Sequence, residues 1–322
     1  MTAGPTIGVD VGGTTTQVVR IDAGVPATAR ATTTPADPAS LADAVTAAIA
    51  ATLVDGELPA RIGIGIPGQV EPLAGVVRHA VNLGVGGEPL ALGDAVRSRW
   101  PVPVLVENDV RAAALGARAW LAEEDRLVPD LAYLAIGTGI SAGVVLGGVL
   151  HRGRDGLAGE IGHIPVVPDG VRCPCGLDGC LETVASGTAI ARRWPSPDGR
   201  SAFALFAAAE AGDARAAGIA RDVAGHLAGA VHWLLLTYGV DVVVLGGGVG
   251  AGDGPLFRAV QAELAARAGR SALARHVLRP DRVLAAPADR PIGALGAAAL
   301  AADVAGSQEQ VSPAGAYGKE AT

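Results

Sequence analysis

The chain has 322 residues, enough for one large domain or two medium ones with real cores. Half are hydrophobic but only 3% are aromatic, so the core must be built from Ala, Val, Leu and Ile. A net charge of −7 argues against a nucleic-acid partner, which needs a basic face. The start M-T-A-G-P passes straight into a strand pattern, which argues against a signal peptide. The longest uncharged run, Leu131 to Leu150, is cut by Gly137, Gly139, Gly143, Gly147 and Gly148. It therefore reads as strand–turn–strand and not as a membrane helix.

Apolar runs at Ile7–Val11 and Val18–Ile21 predict two strands joined by Gly12, Gly13 and three threonines, Thr14 to Thr16. Such a turn presents N–H groups and hydroxyls to phosphate oxygens, with Asp10 placed to hold a metal–phosphate complex through water. The plain alternative is a hairpin turn, and the Gly-Lys-Ser/Thr of a Walker A loop is absent. A third strand is expected at Ala27–Thr33, a helix at Pro38–Leu53 and a strand at Arg61–Ile66 ending in Pro67-Gly68. Gly68 to Gly87 reads as irregular, with Asn82 either meeting a ligand or capping its own turn.

The next strand, Val102–Val106, runs into Glu107-Asn108-Asp109 and then a helix, Val110–Glu123. Ligands gather at the carboxyl ends of strands in open α/β sheets, so Asp109 is a candidate general base. The local sequence favours the simpler role of helix cap for Asn108 or Asp109, and the two are compatible. Leu131–Ile136, Gly137-Thr138-Gly139 and Ala142–Val149 repeat the logic of the N-terminal hairpin without an acid matching Asp10. This predicts a duplicated architecture with a cleft between unequal halves. Helices are expected from Ser186 to Arg193, Ser201 to Gly212 and Asp213 to Tyr238, the last with His226 and His232 as packing residues. The strand Asp241–Leu245 enters Gly246-Gly247-Gly248, which either lets a flat ligand approach the backbone or simply links strand to helix. A helix at Leu256–Ala268, a strand at Val283–Ala286 and a helix at Gly293–Val304 complete the order. The polar tail from Ser307 is expected to be disordered.

All three cysteines fall between Gly159 and Glu182. His163, Cys173, Cys175 and Cys180 make the four N/S ligands of a closed zinc site, with Gly176 and Gly179 easing the loop around the ion. Unrelated buried thiols are the alternative, but three within eight residues of a cysteine-poor chain favour zinc, and fit a reducing cytoplasm.

Taken in order, D-V-G-G-T (10–14), E-N-D (107–109), G-T-G (137–139), G-E-I-G-H (159–163), C-P-C-G-x-x-G-C-L-E (173–182) and L-G-G-G (245–248) resemble the ROK family of bacterial sugar kinases and repressors. The resemblance implies an α/β, actin-like (ribonuclease-H-like) two-domain ATPase fold with ATP and sugar in the cleft. On it, residues 1–111 with 292–306 form a small domain, 112–291 a large one carrying the zinc loop 159–182, and 307–322 a tail. It further implies that Gly12, Gly13, Thr14 and Thr15 form a first phosphate loop, with Asp10 near Mg²⁺. Gly137, Thr138 and Gly139 would form a second phosphate loop, and Gly246, Gly247 and Gly248 would lie at adenosine. Asn108 would bind sugar beside the base Asp109, while Glu160, His163 and Glu182 meet sugar hydroxyls, with Gly68 and Asn82 completing the sugar site. His163, Cys173, Cys175 and Cys180 match the family zinc site.

This chain departs from the family at several positions. Thr15 stands where the first loop usually has Lys, and Ser141-Ala142 replace Gly-Gly in the second. Arg111 replaces a small or amide residue, Ala117 a Glu, and Val85 the aromatic residue that often follows the sugar loop. The expected activity is ATP-dependent phosphorylation of a hexose at its 6-hydroxyl, glucose by default, with an amino-sugar kinase (kanosamine, mannose or N-acyl type) as alternative. The repressors of the family carry an N-terminal helix-turn-helix, whereas only five residues precede the first strand here, so a sugar-sensing regulator is the less favoured reading. The expected partners are sugar and ATP, neither nucleic acid nor membrane, in a cytoplasmic homodimer or homotetramer.

Overall fold

The computed structural model describes residues 4–35 and 37–307, so the expected tail lies outside the described residues apart from Ser307. The first half runs β1 (Thr6–Val11), β2 (Thr15–Asp22), β3 (Val25–Thr33), α1 (Pro38–Ala50), β4 (Arg61–Ile66), β5 (Gln69–Glu71), β6 (Val76–Arg78), α2 (Leu92–Arg99) and β7 (Val104–Asn108). Then follow α3 (Asp109–Glu123), β8 (Leu131–Ile136), β9 (Ile140–Leu146), β10 (Val149–Leu150), α4 (Leu181–Ala185), α5 (Gly187–Arg193), α6 (Ser201–Glu210) and α7 (Ala214–Tyr238). The chain closes with β11 (Val242–Gly246), α8 (Gly247–Gly250), α9 (Pro255–Arg270), α10 (Ala272–Val277), β12 (Val283–Ala285) and α11 (Ile292–Ser307).

Two five-stranded sheets share one design, ordered β3-β2-β1-β4-β7 and β10-β9-β8-β11-β12. In each, antiparallel strands (β1, β2, β3; β8, β9, β10) are extended on the far side by two parallel strands. The duplication expected from the two glycine hairpins is thus present as strand order. This is the actin-like fold.

Each sheet has its own aliphatic core. Ile7, Val9, Ile62 and Ile64 pack with Leu41, Val45 and Ile49 of α1, which Asp37 caps ahead of Pro38. Leu134, Val243 and Leu245 pack with Val223, Leu227, Val231 and Leu234 of α7, which ends at left-handed Gly239. Between the sheets lie α3 and α11. At Gly116 the two helix backbones come so close that a β-carbon would strike the Ile292 carbonyl and Gly296. The boundary expected after residue 111 falls inside α3, which packs on strands of both sheets.

Three expectations need correction. Gly68 to Gly87 is not irregular throughout: Val70 and Val77 pair in the β5–β6 hairpin, and Val77 is fully buried in the first core. The strand expected at 102–106 is displaced to 104–108, because Glu107 and Asn108 continue the ladder opposite Gly65 and Ile66. Leu181–Ala185 and Ala272–Val277 are short helices that the sequence reading did not separate. Among the described residues no helix is long and apolar enough to cross a membrane.

Candidate active site

Asp10, the next-to-last residue of β1, lies at the floor of the cleft between the sheets, beside the first turn of α11. At Gly293 any side chain would occupy the space of the Asp10 carboxylate. Desolvation, and then the nearby Asp109 charge, push Asp10 up to about 7, while the positive end of α11 opposes the shift. The turn after Asp10 is closed by the Gly12 N–H donating to the Thr15 carbonyl at 3.0 Å, which leaves Gly13, Thr14 and Thr15 exposed. It is braced from behind, where the Thr34 N–H donates to the Thr14 carbonyl at 3.0 Å and the Thr16 and Thr34 hydroxyls bond at 2.8 Å.

Asn108 and Asp109 occupy the junction of β7 and α3, and cap and acid prove to be different residues. The Asn108 side-chain oxygen accepts from the N–H groups of Val110 (3.1 Å) and Arg111 (3.2 Å), and its amide nitrogen donates to the Gly68 carbonyl at 3.3 Å. Gly68 has φ of +100°, and a β-carbon there would meet the backbone of Arg78 and Ala80, so glycine is required to aim that carbonyl. Asp109 is the first residue of α3, lies against Gly65, and accepts from the Val110 N–H at 2.9 Å. Burial pushes its carboxyl up to about 6; the Val110 N–H opposes this, the Glu160 charge adds to it and the Arg111 cation pulls it down. Asn82 is exposed with its β-carbon facing Gly13 of the first turn.

The second hairpin turn is held by α4 and α5. The Gly187 N–H donates to the Gly137 carbonyl (2.7 Å) and the Thr188 hydroxyl to the Thr138 carbonyl (2.8 Å). Glu182 reaches from α4 to accept the Ile140 N–H at 2.9 Å, filling the space over Gly139. The sequence reading gave Glu182 to sugar hydroxyls; one of its oxygens is instead committed to the turn, because a buried N–H needs a partner.

The glycine run after β11 divides its work. Gly246 is pressed against the Tyr133 phenol, whose oxygen accepts the Gly247 N–H at 3.1 Å, whereas Gly248 lines a cavity of about 620 Å³. Gly137, Thr138, Gly187, Thr188, Arg200 and Gly252 line it too. So do Phe203, Phe206 and Phe257, which are all the phenylalanines of the chain. The Arg200 guanidinium lies over the Phe203 ring at 4.5 Å, and Phe203 is 58% exposed. Sequence reasoning missed Arg200 and Phe203; the signal available was the confinement of every Phe of an aromatic-poor chain to 203–257.

The donor atoms of His163, Cys173, Cys175 and Cys180 all lie within 4.8 Å of one another. The 3.7 Å between the Cys175 and Cys180 sulfurs is too long for a disulfide. It matches the ~3.8 Å edge of a tetrahedron with zinc–sulfur bonds of about 2.3 Å. The Cys173 sulfur is 3.5 Å from His163 Nδ1, again a tetrahedral edge. His163 Nε2 is 4.0 Å from Glu160, so the ring stands between the cluster and that carboxylate. Burial raises the Glu160 pKa, with His163 and Arg111 opposing. The residues present fit a structural zinc.

The model of the ROK family matches residues 6–304. The chain belongs to the ROK family. A ROK family glucokinase from Streptomyces griseus, solved in complex with glucose and AMPPNP, superposes with a TM-score of 0.75 at 32% identity, covering 93% of this chain and all of that one. A ROK family transcriptional regulator homologous to the E. coli MLC protein superposes at 0.71 with 25% identity, covering 92% of this chain and 78% of the regulator. The glucokinase of Halalkalibacterium halodurans is 39% identical over 210 residues, 60% of this chain; the match spans 62% of that relative's length.

Proposed function

We propose that this ROK chain is a sugar kinase that transfers the γ-phosphoryl of ATP to a hexose, glucose first among candidates, at its 6-hydroxyl. The carrying observation is Asp109: a cleft carboxylate at the head of α3, raised to about 6 and flanked by Asn108 and Glu160. Phosphoryl transfer asks the protein for positioning and charge neutralisation more than for covalent chemistry. A carboxylate near pH 6 accepts the hydroxyl proton as the oxygen–phosphorus bond forms, help typically worth about 10²–10⁴-fold.

The remaining roles follow the site. Asn108, Glu160, His163 Nε2 and the free oxygen of Glu182 hold sugar hydroxyls, with Gly68 fixing Asn108 and Asn82 closing the ring from the first-turn side. Gly12 with the exposed Gly13, Thr14 and Thr15, and the strutted Gly137, Thr138 and Gly139, receive phosphates from opposite walls. The base lies in the cavity lined by Gly248, Arg200 and Phe203, the part of the glycine run Gly246, Gly247, Gly248 that is open. Asp10 would hold Mg²⁺ together with the phosphates; the ion neutralises triphosphate charge. His163, Cys173, Cys175 and Cys180 would hold a zinc ion whose four protein ligands leave no open position, so it braces the loop.

The likeness to the ROK regulator keeps a second reading, a sugar sensor without turnover, and the sugar itself has rivals in amino-sugar, mannose and N-acyl hexosamine acceptors. A coupled ADP-release assay over a sugar panel tests all of them. Turnover with glucose well above the rest is expected; sugar binding with no ADP release would sink the kinase reading in favour of the sensor.

A further inference from the structure

Glu107 is the most deeply buried acid near the cleft, at 0% exposure, and it is fully engaged by cations. Its Oε1 accepts from Arg111 Nε at 2.7 Å and from the Asn108 N–H at 2.8 Å; its Oε2 accepts from Arg152 Nε at 2.6 Å. Arg111, 3% exposed, also donates through Nη1 to the Gly156 carbonyl at 2.6 Å. Glu107 is the next-to-last residue of β7 and Arg111 lies in the first turn of α3, on either side of Asn108 and Asp109. Arg152 and Gly156 belong to the segment 151–159, which has no regular structure and delivers Glu160. Two guanidinium groups around one carboxylate leave a net positive charge beside Asp109 and Glu160.

We propose that Arg111 is a positioning residue: through Glu107 and the Gly156 carbonyl it clasps the Asp109 turn to the 151–159 segment, fixing the separation of Asp109 and Glu160. The inference rests on the sugar-kinase reading for its catalytic consequence, but not for the clasp. A planar guanidinium spreads its donors over separate nitrogens in a rigid fork, here Nε to Glu107 and Nη1 to Gly156, a span the compact ammonium of lysine lacks. Without Arg111 the segment keeps the Arg152–Glu107 bond, the edge contact of His151 with Tyr238, and its anchors at β9, where the His151 N–H donates to the Val144 carbonyl and the Gly159 carbonyl accepts from the Ala142 N–H and the Ser141 hydroxyl.

The test pairs hydrogen exchange of residues 151–160 with steady-state kinetics in wild type, Arg111→Lys and Arg152→Met. Arg152 is half-exposed, so its replacement gives a folded comparison should the buried site not tolerate lysine. Expected are faster exchange at 151–160 in both variants, a drop in kcat/KM for the sugar of about 10²-fold in Arg111→Lys, and an unchanged KM for ATP. Unchanged exchange in both variants, or equal losses for sugar and ATP, would overturn the proposal. Exchange needs no substrate: a wild-type protein without turnover on any sugar would remove the kinase reading and leave the clasp measurable.

Discussion

The Asp109 carboxylate adds to burial in pushing its neighbour Asp10 up to about 7, so two acids at the floor of the cleft hold protons unusually well. A group whose folded pKa lies above its ordinary 3.8 stabilises the folded state most when protonated, and that advantage is lost as pH climbs from about 4 to about 7. In the nucleotide-free protein, Asp10→Asn is therefore expected to match wild type near pH 4 and to melt about 2–4 °C higher at pH 8. Thermal denaturation across pH checks this; equal melting temperatures at pH 8 would contradict it.

As the proposed base, Asp109 should set the acid limb of the reaction. With its pKa near 6, the fraction able to accept a proton falls below that pH, so kcat/KM for the sugar should decline on the acid side with a midpoint near 6. Asp109→Asn should abolish that limb, keep sugar binding by calorimetry, and lower kcat by about 10²–10⁴-fold or more. Near wild-type turnover would remove Asp109 from the role of base.

Glu182 should act on the nucleotide side despite its place in the zinc loop. Losing a carboxylate that accepts a backbone N–H costs about 1.5–3 kcal/mol, so Glu182→Ala is expected to raise KM for ATP by about 10–100-fold. Glu182→Gln keeps an acceptor for the Ile140 N–H and should recover most of that loss. A KM for ATP untouched by alanine would show the strut to be idle.

Phe203 is exposed at the cavity mouth under Arg200, so its loss leaves the fold alone. Phe203→Ala should raise KM for ATP several-fold, about 1 kcal/mol of lost stacking, with kcat and the melting temperature unchanged. A fall in kcat at unaltered KM would place the ring elsewhere in the reaction.

Cys175→Ser should lower zinc content, measured by plasma emission, and weaken sugar binding in the same samples. Cys175 is exposed while Cys173 and Cys180 are buried, so this ligand is the one to remove without opening the core. Full sugar affinity in zinc-free protein would end the idea of a brace.

The features legible in the sequence were those written locally. Glycine hairpins, the Gly246–Gly248 run and four metal-type ligands between 163 and 180 announce themselves by spacing; the fold shows both hairpins and gathers the four ligands, while only Gly248 of the glycine run lines the cavity. The unread features depend on distant partners. Glu107 was given no role of its own because its cation Arg152 lies 45 residues away. The bond of Glu182 to the second hairpin turn went unread because the N–H it serves is 42 residues back. The β5–β6 hairpin escaped notice because three-residue strands carry too little alternation to be seen before they pair.

Cys180 and Glu182 sit two residues apart at the start of α4, one turned to the metal cluster and the other to the phosphate turn. On the proposed roles, so short a lever would link zinc and nucleotide thermodynamically, and linkage runs both ways. Whatever zinc contributes to nucleotide affinity, bound nucleotide must return as resistance to chelators. An idle protein would then surrender its metal before a working one, which ties the lifetime of the brace to the supply of fuel.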